Sequence, residues 1–227
     1  MDRMRGLKAA VFDAYGTLFD VASAAEAAKD ALGERWAPLA EVWRAKQLQY
    51  TWLRALMGRH ADFARVTEDA LEFALESLGL DGALRGRLMG LYDRLAAYPD
   101  ARGALEAMRR AGLRTAILSN GSPAMLDAAT RSAGLGPLLD AVLSVEEVGV
   151  YKPHPSVYQL AVDRLGVAPA EILFVSSNGW DAHGAKAFGL RVAWCNRAGQ
   201  PKERLPGEVD AEVRTLRELE TLVEGRG

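Results

Sequence analysis

From residue 101 onward the chain repeats one pattern, a helix-length amphipathic segment followed by a short apolar run. The helical segments fall at 101–111, 123–133, 156–165 and 181–188, and the apolar runs at 114–118, 141–144, 172–175 and 191–195. Strands that alternate with helices of this length are joined by right-handed crossovers, which implies a parallel sheet covered on both faces. An earlier run, Lys8-Ala9-Ala10-Val11-Phe12, reads as one more buried strand, ended by Asp13 and the turn residue Gly16. Residues from about 21 to 98 carry no strand pattern. Ala-rich 22–32, then Leu39, Val42, Trp43, Leu53, Leu56 and Met57, then Leu71, Phe73, Leu75 and Leu78, recur at mixed three- and four-residue spacings that suit amphipathic helices. Gly33, Gly58, Gly79, Gly82 and Pro99 punctuate them. The expected organisation is α/β: a doubly wound core formed by 1–20 and 99–227, with a helical unit, 21–98, inserted after its first strand. A last helix over 214–223 is expected to pack on the core, with Gly225-Arg226-Gly227 frayed.

With 227 residues, 49% hydrophobic and 26% charged, the chain can bury a substantial core. A net charge of −2 and a pI near 6.0 give no electrostatic reason to expect nucleic acid or an anionic membrane as partner, so a small-molecule substrate is expected. The single cysteine, Cys195, lies in a predicted strand; it excludes an intrachain disulfide and fits a reducing compartment. No run approaches the ~18 apolar residues of a membrane span. The charged start Met1-Asp2-Arg3-Met4-Arg5 leads into an apolar stretch too short for a secretory signal, so the cytoplasm is the expected location.

Four strand ends present polar residues that should converge on one edge of the sheet, where open α/β sheets bind ligands. They are Asp13, then Ser119-Asn120-Gly121-Ser122, then Lys152 in the stiff segment Tyr151-Lys152-Pro153-His154-Pro155, then Ser176-Ser177-Asn178-Gly179-Trp180-Asp181. Each alone has a plain explanation: a hydroxyl at a helix start is usually a cap, a lone lysine is usually a solvated charge, and Asp181 could cap a helix. All four in this order, each after an apolar strand, are hard to assign to chance. His60, His154, His183 and Cys195 are scattered without ligand spacing, so no metal site is expected from them.

The segment Asp13-Ala14-Tyr15-Gly16-Thr17 resembles the first motif of the haloacid dehalogenase superfamily, whose phosphatases carry Asp-x-Asp-x-Thr. Here Tyr15 stands where those phosphatases have their leaving-group acid. With a reference pKa of about 10, a tyrosine is a poor substitute. Displacing a halide from carbon needs no such proton. Residues 39–54, LAEVWRAKQLQYTWLR, together with Lys152-Pro153, Tyr158 and the 176–181 loop, resemble the type II L-2-haloacid dehalogenases of that superfamily over essentially the whole chain. Phosphatases of the superfamily hold magnesium with a Gly-Asp-Ser-x-x-Asp fourth motif, whereas this chain has the neutral Asn178 and retains only Asp181 there.

The resemblance implies a Rossmann-like core with a helical cap, acting on short 2-halocarboxylates without a cofactor. Asp13 would attack C2 with inversion, and water would then hydrolyse the aspartyl ester to the 2-hydroxy acid and released halide. Lys152 would keep Asp13 ionised, Asp181 with Ser176 and Asn178 would handle the water, and Thr17 would hydrogen-bond the nucleophile. Ser119 would meet the substrate carboxylate, Arg44 and Asn120 the halide, and Leu48, Phe63 and Trp180 the alkyl group. Tyr15 and Tyr158 are expected in or behind the pocket wall, and Trp43 and Trp52 in packing. The resemblance also implies a homodimer. Two alternatives remain: a magnesium-dependent phosphatase on the same fold, and a small-acid binder without chemistry.

Overall fold

The computed structural model describes residues 3–223. Its elements run β1 (Ala9–Phe12), α1 (Ser23–Glu26), α2 (Lys29–Leu32), α3 (Trp36–Met57), α4 (Phe63–Ser77), α5 (Leu84–Tyr92), α6 (Ala101–Arg110), β2 (Arg114–Ser119), α7 (Pro123–Ser132), β3 (Ala141–Ser144), α8 (Pro155–Leu165), β4 (Ile172–Ser176), α9 (Gly179–Phe188), β5 (Arg191–Cys195), β6 (Ala211–Val213) and α10 (Leu219–Leu222). All six strands are parallel, in the order β3-β2-β1-β4-β5-β6. This is a doubly wound α/β sheet, and its strand order reverses at β1, with β2 on one side and β4 on the other. Every residue of β1 and β4 is buried, as expected for strands covered on both faces.

Register places the site. Phe12 stands beside Ile117 and Val175, so Asp13, Ser119 and Ser176 all emerge at the carboxyl edge next to the switch point. The helices that follow these strands begin with local caps: Ser122 Oγ accepts from Met125 N ahead of Pro123, and His154 precedes Pro155.

Five helices, α1 to α5, are inserted between β1 and α6 as a helical cap. Helix α4 buries Phe63, Val66, Thr67, Ala70, Leu71, Ala74 and Leu75, the three- and four-residue spacing of a single apolar face, and Asp62 caps its start. That face packs on α3, which ends at Gly58 with φ of 62°, a left-handed turn that glycine adopts without strain. The two connections between core and cap run side by side: Tyr98 N donates to Leu18 O and Asp20 N to Ala96 O.

Several expectations need correction. The predicted helix over 214–223 is instead a 3₁₀ turn, Leu216–Glu218, followed by the single turn of α10, and the chain before it forms an unpredicted edge strand, β6. The short span of β6, three residues, gives too little alternation to read. The segment 22–32 forms two one-turn helices, and α5 is an additional helix whose Gly86 and Gly90 dilute its apolar periodicity. The fraying expected at 225–227 lies outside the described residues. Among the described residues no helix is long and apolar enough to cross a membrane.

Candidate active site

Asp13 leaves β1 with its backbone N–H bonded to Val175 O, 2.9 Å away, which continues the ladder by one residue and aims the side chain past the sheet edge. Each carboxylate oxygen is held differently. Oδ1 accepts from Lys152 Nζ at 3.1 Å. Oδ2 accepts from Asn178 Nδ2 at 2.7 Å, Thr17 Oγ1 at 3.1 Å and Ser176 Oγ at 3.4 Å. Thr17 is fixed in turn, because its hydroxyl accepts from Ser177 N at 2.8 Å.

Lys152 is 1% exposed and bridges two acids, with Nζ also 2.9 Å from Asp181 Oδ2. Its backbone N–H donates to Asn120 Oδ1, which joins the second and third strand ends. The ammonium sits 4.9 Å from the ring centre of Phe174. Burial disfavours this charge, yet Asp13 and Asp181 outweigh it and hold the lysine above its usual range. Asp181 is fully buried, and burial is the largest influence on it, pushing its carboxyl up to about 6 against the opposing pull of Lys152. Its other oxygen accepts from Tyr158 OH at 2.8 Å. Lys152 therefore ties the two carboxylates into one hydrogen-bonded unit.

Arg44 comes from α3 on the cap. Its Nη2 donates to Asn178 Oδ1 at 3.2 Å and to Tyr15 O at 3.5 Å, and its Nη1 to Gln47 Oε1 at 2.7 Å. These bonds settle the orientation of the Asn178 amide: reversing it would set its NH₂ against the guanidinium and its oxygen against the Asp13 carboxylate and the Tyr15 carbonyl. Asp13, Tyr15, Arg44, Leu48, Phe63, Ser119, Asn120, Asn178 and Trp180 line a cavity of about 10 Å³, close to the smallest space that admits a water. In this arrangement of side chains the cavity is smaller than a ligand of several heavy atoms. A larger, open groove of about 620 Å³ on the outer face of α3 and α4 holds none of these residues.

The structure thus brings together most of the residues singled out from sequence. Tyr158 is the exception among the proposed substrate contacts. It is fully buried behind Asp181, packed on Phe174 and Phe188, so it serves that carboxylate and not the pocket wall. Tyr15 does reach the wall, with its ring against Phe63 and Tyr92, and burial pushes its phenol well above the ordinary range. It stays neutral and offers no acid. Trp43 is buried and donates to Thr67 O, and Trp52 packs edge-on against Trp180 at 5.4 Å.

Sequence reasoning missed two groups. Gln47, 1% exposed, turns its oxygen to Arg44 and its NH₂ to Thr67 Oγ1 and Tyr92 OH, which holds the guanidinium from behind. Its three-residue spacing from Arg44 on one helix was the available signal. Arg197 and Asp100, paired behind the Asp13 turn, gave none.

The arrangement does not suit a divalent cation. Oδ2 of Asp13 is surrounded by three donors, and Asn178 presents an N–H where a magnesium ligand would need an oxygen. Among the described residues no group of three or more His, Cys, Asp and Glu could hold a metal ion.

A model of the haloacid dehalogenase-like hydrolases matches residues 7–189, and the chain belongs to that family. Its relatives within the family include (S)-2-haloacid dehalogenase 1 of Pseudomonas sp. (strain CBS-3), 47% identical over 222 residues, covering 97% of this chain and 98% of that protein. The (S)-2-haloacid dehalogenase of Xanthobacter autotrophicus is 53% identical over 196 residues, 86% of this chain and 77% of that protein. The solved structure of the L-2-haloacid dehalogenase from Xanthobacter autotrophicus with chloropropionic acid covalently bound superposes with a TM-score of 0.90 at 45% identity, covering 97% of this chain and 100% of that one. The likeness read from the motifs and the expected core-plus-cap fold are both borne out.

Proposed function

We propose that this chain hydrolyses short-chain L-2-haloacids to 2-hydroxy acids with inversion at C2, through an ester on Asp13 and without a metal. One observation carries the reading: Asp13 is held by an ammonium on one oxygen and by three hydrogen-bond donors, Asn178 among them, on the other. A carboxylate so arranged is a fixed nucleophile with no neighbouring acid for an alkoxide and no room for magnesium. The phosphatase alternative needs both.

Oδ2 already accepts three hydrogen bonds, so Oδ1 makes the better attacking atom and Oδ2 becomes the ester carbonyl. When water adds to that ester, the donors on Oδ2 receive the developing charge. Asp181, with its carboxyl near neutrality, takes the water's proton. Ser119 and the N–H groups leading into α7 suit the substrate carboxylate. Arg44 and Asn120 suit the departing halide, and Leu48, Phe63 and Trp180 suit the alkyl group. In this reading residues 21–98 are the moving cap and the remainder the core. The reducing environment that suits the buried Cys195 supports a cytoplasmic enzyme. The exposed Leu53, Leu56, Met57 and Phe73 on the outer face of the cap support a homodimer, which light scattering tests.

The decisive experiment incubates the chelator-treated protein with L-2-chloropropionate and measures chloride and lactate. Release that persists in chelator and disappears in Asp13→Asn supports the reading. Release of phosphate from an aryl phosphate with magnesium, and of no halide from any short haloacid, defeats it. In ¹⁸O water under single-turnover conditions the label should enter Asp13 rather than the product.

A further inference from the structure

Arg197 lies beyond β5, far in sequence from Asp13 and Thr17, yet its guanidinium reaches the turn that carries the nucleophile. Nη1 and Nη2 donate to the two oxygens of Asp100 at 2.8 and 2.9 Å, and Nη2 also donates to Thr17 O at 3.0 Å. Its Cζ lies 4.1 Å from the ring centre of Tyr98. Asp100 is 6% exposed and accepts one more bond, from Leu216 N at 2.9 Å. The turn bearing Arg197 is itself fixed, since Asn196 exchanges side-chain bonds with the backbone of Gln200 and its own N–H donates to Val213 O. A rigid fork thus grips both chain connections between core and cap at once. Thr17 stands on the outgoing connection, Tyr98 and Asp100 on the returning one.

The geometry points to Arg197 and Asp100 as a positioning clamp, which sets the two cap connections and, through the Thr17 carbonyl, aims the Thr17 hydroxyl at Oδ2 of Asp13. A buried ion pair of this kind need not add net stability, because desolvation offsets the attraction. Lysine can keep the charge beside Asp100 but cannot make the fork and the Thr17 bond together. This inference rests on the dehalogenase reading for its kinetic test and has a second test that does not.

The variants are Arg197→Lys, Thr17→Val and the double variant, with thermal midpoints recorded to show that each folds. Arg197→Lys should lower kcat by about 10- to 100-fold, the scale of a small misplacement of reacting groups, with KM within about twofold. If the clamp acts through Thr17, the double variant is no slower than Thr17→Val alone; losses that multiply overturn the inference. Independently of turnover, the amides of Asp20 and Tyr98, which bond across the two connections, should exchange hydrogen faster in Arg197→Lys. Unchanged exchange overturns the clamp, whereas absence of halide release by the unaltered enzyme overturns only the proposed reaction.

Discussion

Tyr158→Phe removes one hydrogen-bond donor and little else. The ring keeps its contacts with Phe174 and Phe188, both at 5.8 Å between centres, while Asp181 Oδ1 loses a 2.8 Å bond from the phenol. A hydrogen bond to a buried carboxylate favours its ionised form by about 1.5–3 kcal/mol. At about 1.36 kcal/mol per unit, its loss raises the Asp181 pKa by about one to two units. The carboxyl that burial has already pushed up to about 6 is then pushed higher still. The sign is fixed: the phenol bonds the anion more strongly than the neutral acid, so without it the proton is held to higher pH. Asp181 must be ionised to take a proton from water. The acid limb of ester hydrolysis should therefore move to higher pH by the same amount, with a nearly unchanged plateau above it. Lys152 keeps its charge throughout, because its two carboxylates hold it above the usual lysine range despite burial. The assay is single-turnover decay of the Asp13 ester, followed by quenching and mass spectrometry from roughly pH 5 to roughly pH 9.5. A limb that does not move, or a rate lowered equally at every pH, would refute Asp181 as the group that titrates.

Three further outcomes follow from the geometry. Lys152→Met leaves two buried carboxylates without their cation and should cost about 3–5 kcal/mol at neutral pH, with the loss shrinking in acid as the carboxylates are protonated; an unchanged urea midpoint near neutrality would contradict this. Asn178→Asp sets a second anion against Oδ2, draws Arg44 toward itself and removes a donor from the ester carbonyl, so halide release should fall by about 10²-fold, and a near-normal rate would count against the assigned role. In Gly121→Ala the new Cβ would lie 2.6 Å from Tyr15 Cε2, so the ring must shift in the pocket wall. The expected result there is a raised KM for chloropropionate with the fold intact, checked by steady-state kinetics and circular dichroism.

The core of this molecule was readable because its strands are buried on both faces and end abruptly in polar residues. Asp13, Ser119 and Ser176 announce the sheet edge by following Phe12, Leu118 and Val175 directly. Parallel pairing then brings them together, and the alternation of strands and helices implied that pairing before any coordinates. What stayed hidden depends on contacts across long stretches of chain. Nothing near Arg197 in sequence points to Asp100, 97 residues away. The partnership of Gln47 with Thr67 and Tyr92 likewise exists only once α3, α4 and α5 are packed. Tyr158 was placed by motif in the pocket wall or behind it, and only packing decides between them, since a helix position does not reveal which of two buried layers its side chain enters. The helix expected at 214–223 failed because apolar spacing in a short tail fits several local structures.

The split of the site between two chain units carries a lesson about inheritance. Asp13, Lys152, Ser176 and Asp181 belong to the sheet scaffold, whereas Arg44, Leu48 and Phe63 arrive on α3 and α4. The buried acid and its ammonium are thereby encoded apart from one side of the cavity wall, while Ser119, Asn120 and Trp180 on the other side stay with the scaffold. Drift or recombination confined to the helical stretch can then reshape the Leu48 and Phe63 side of the cavity while the buried acid and its ammonium are inherited unaltered.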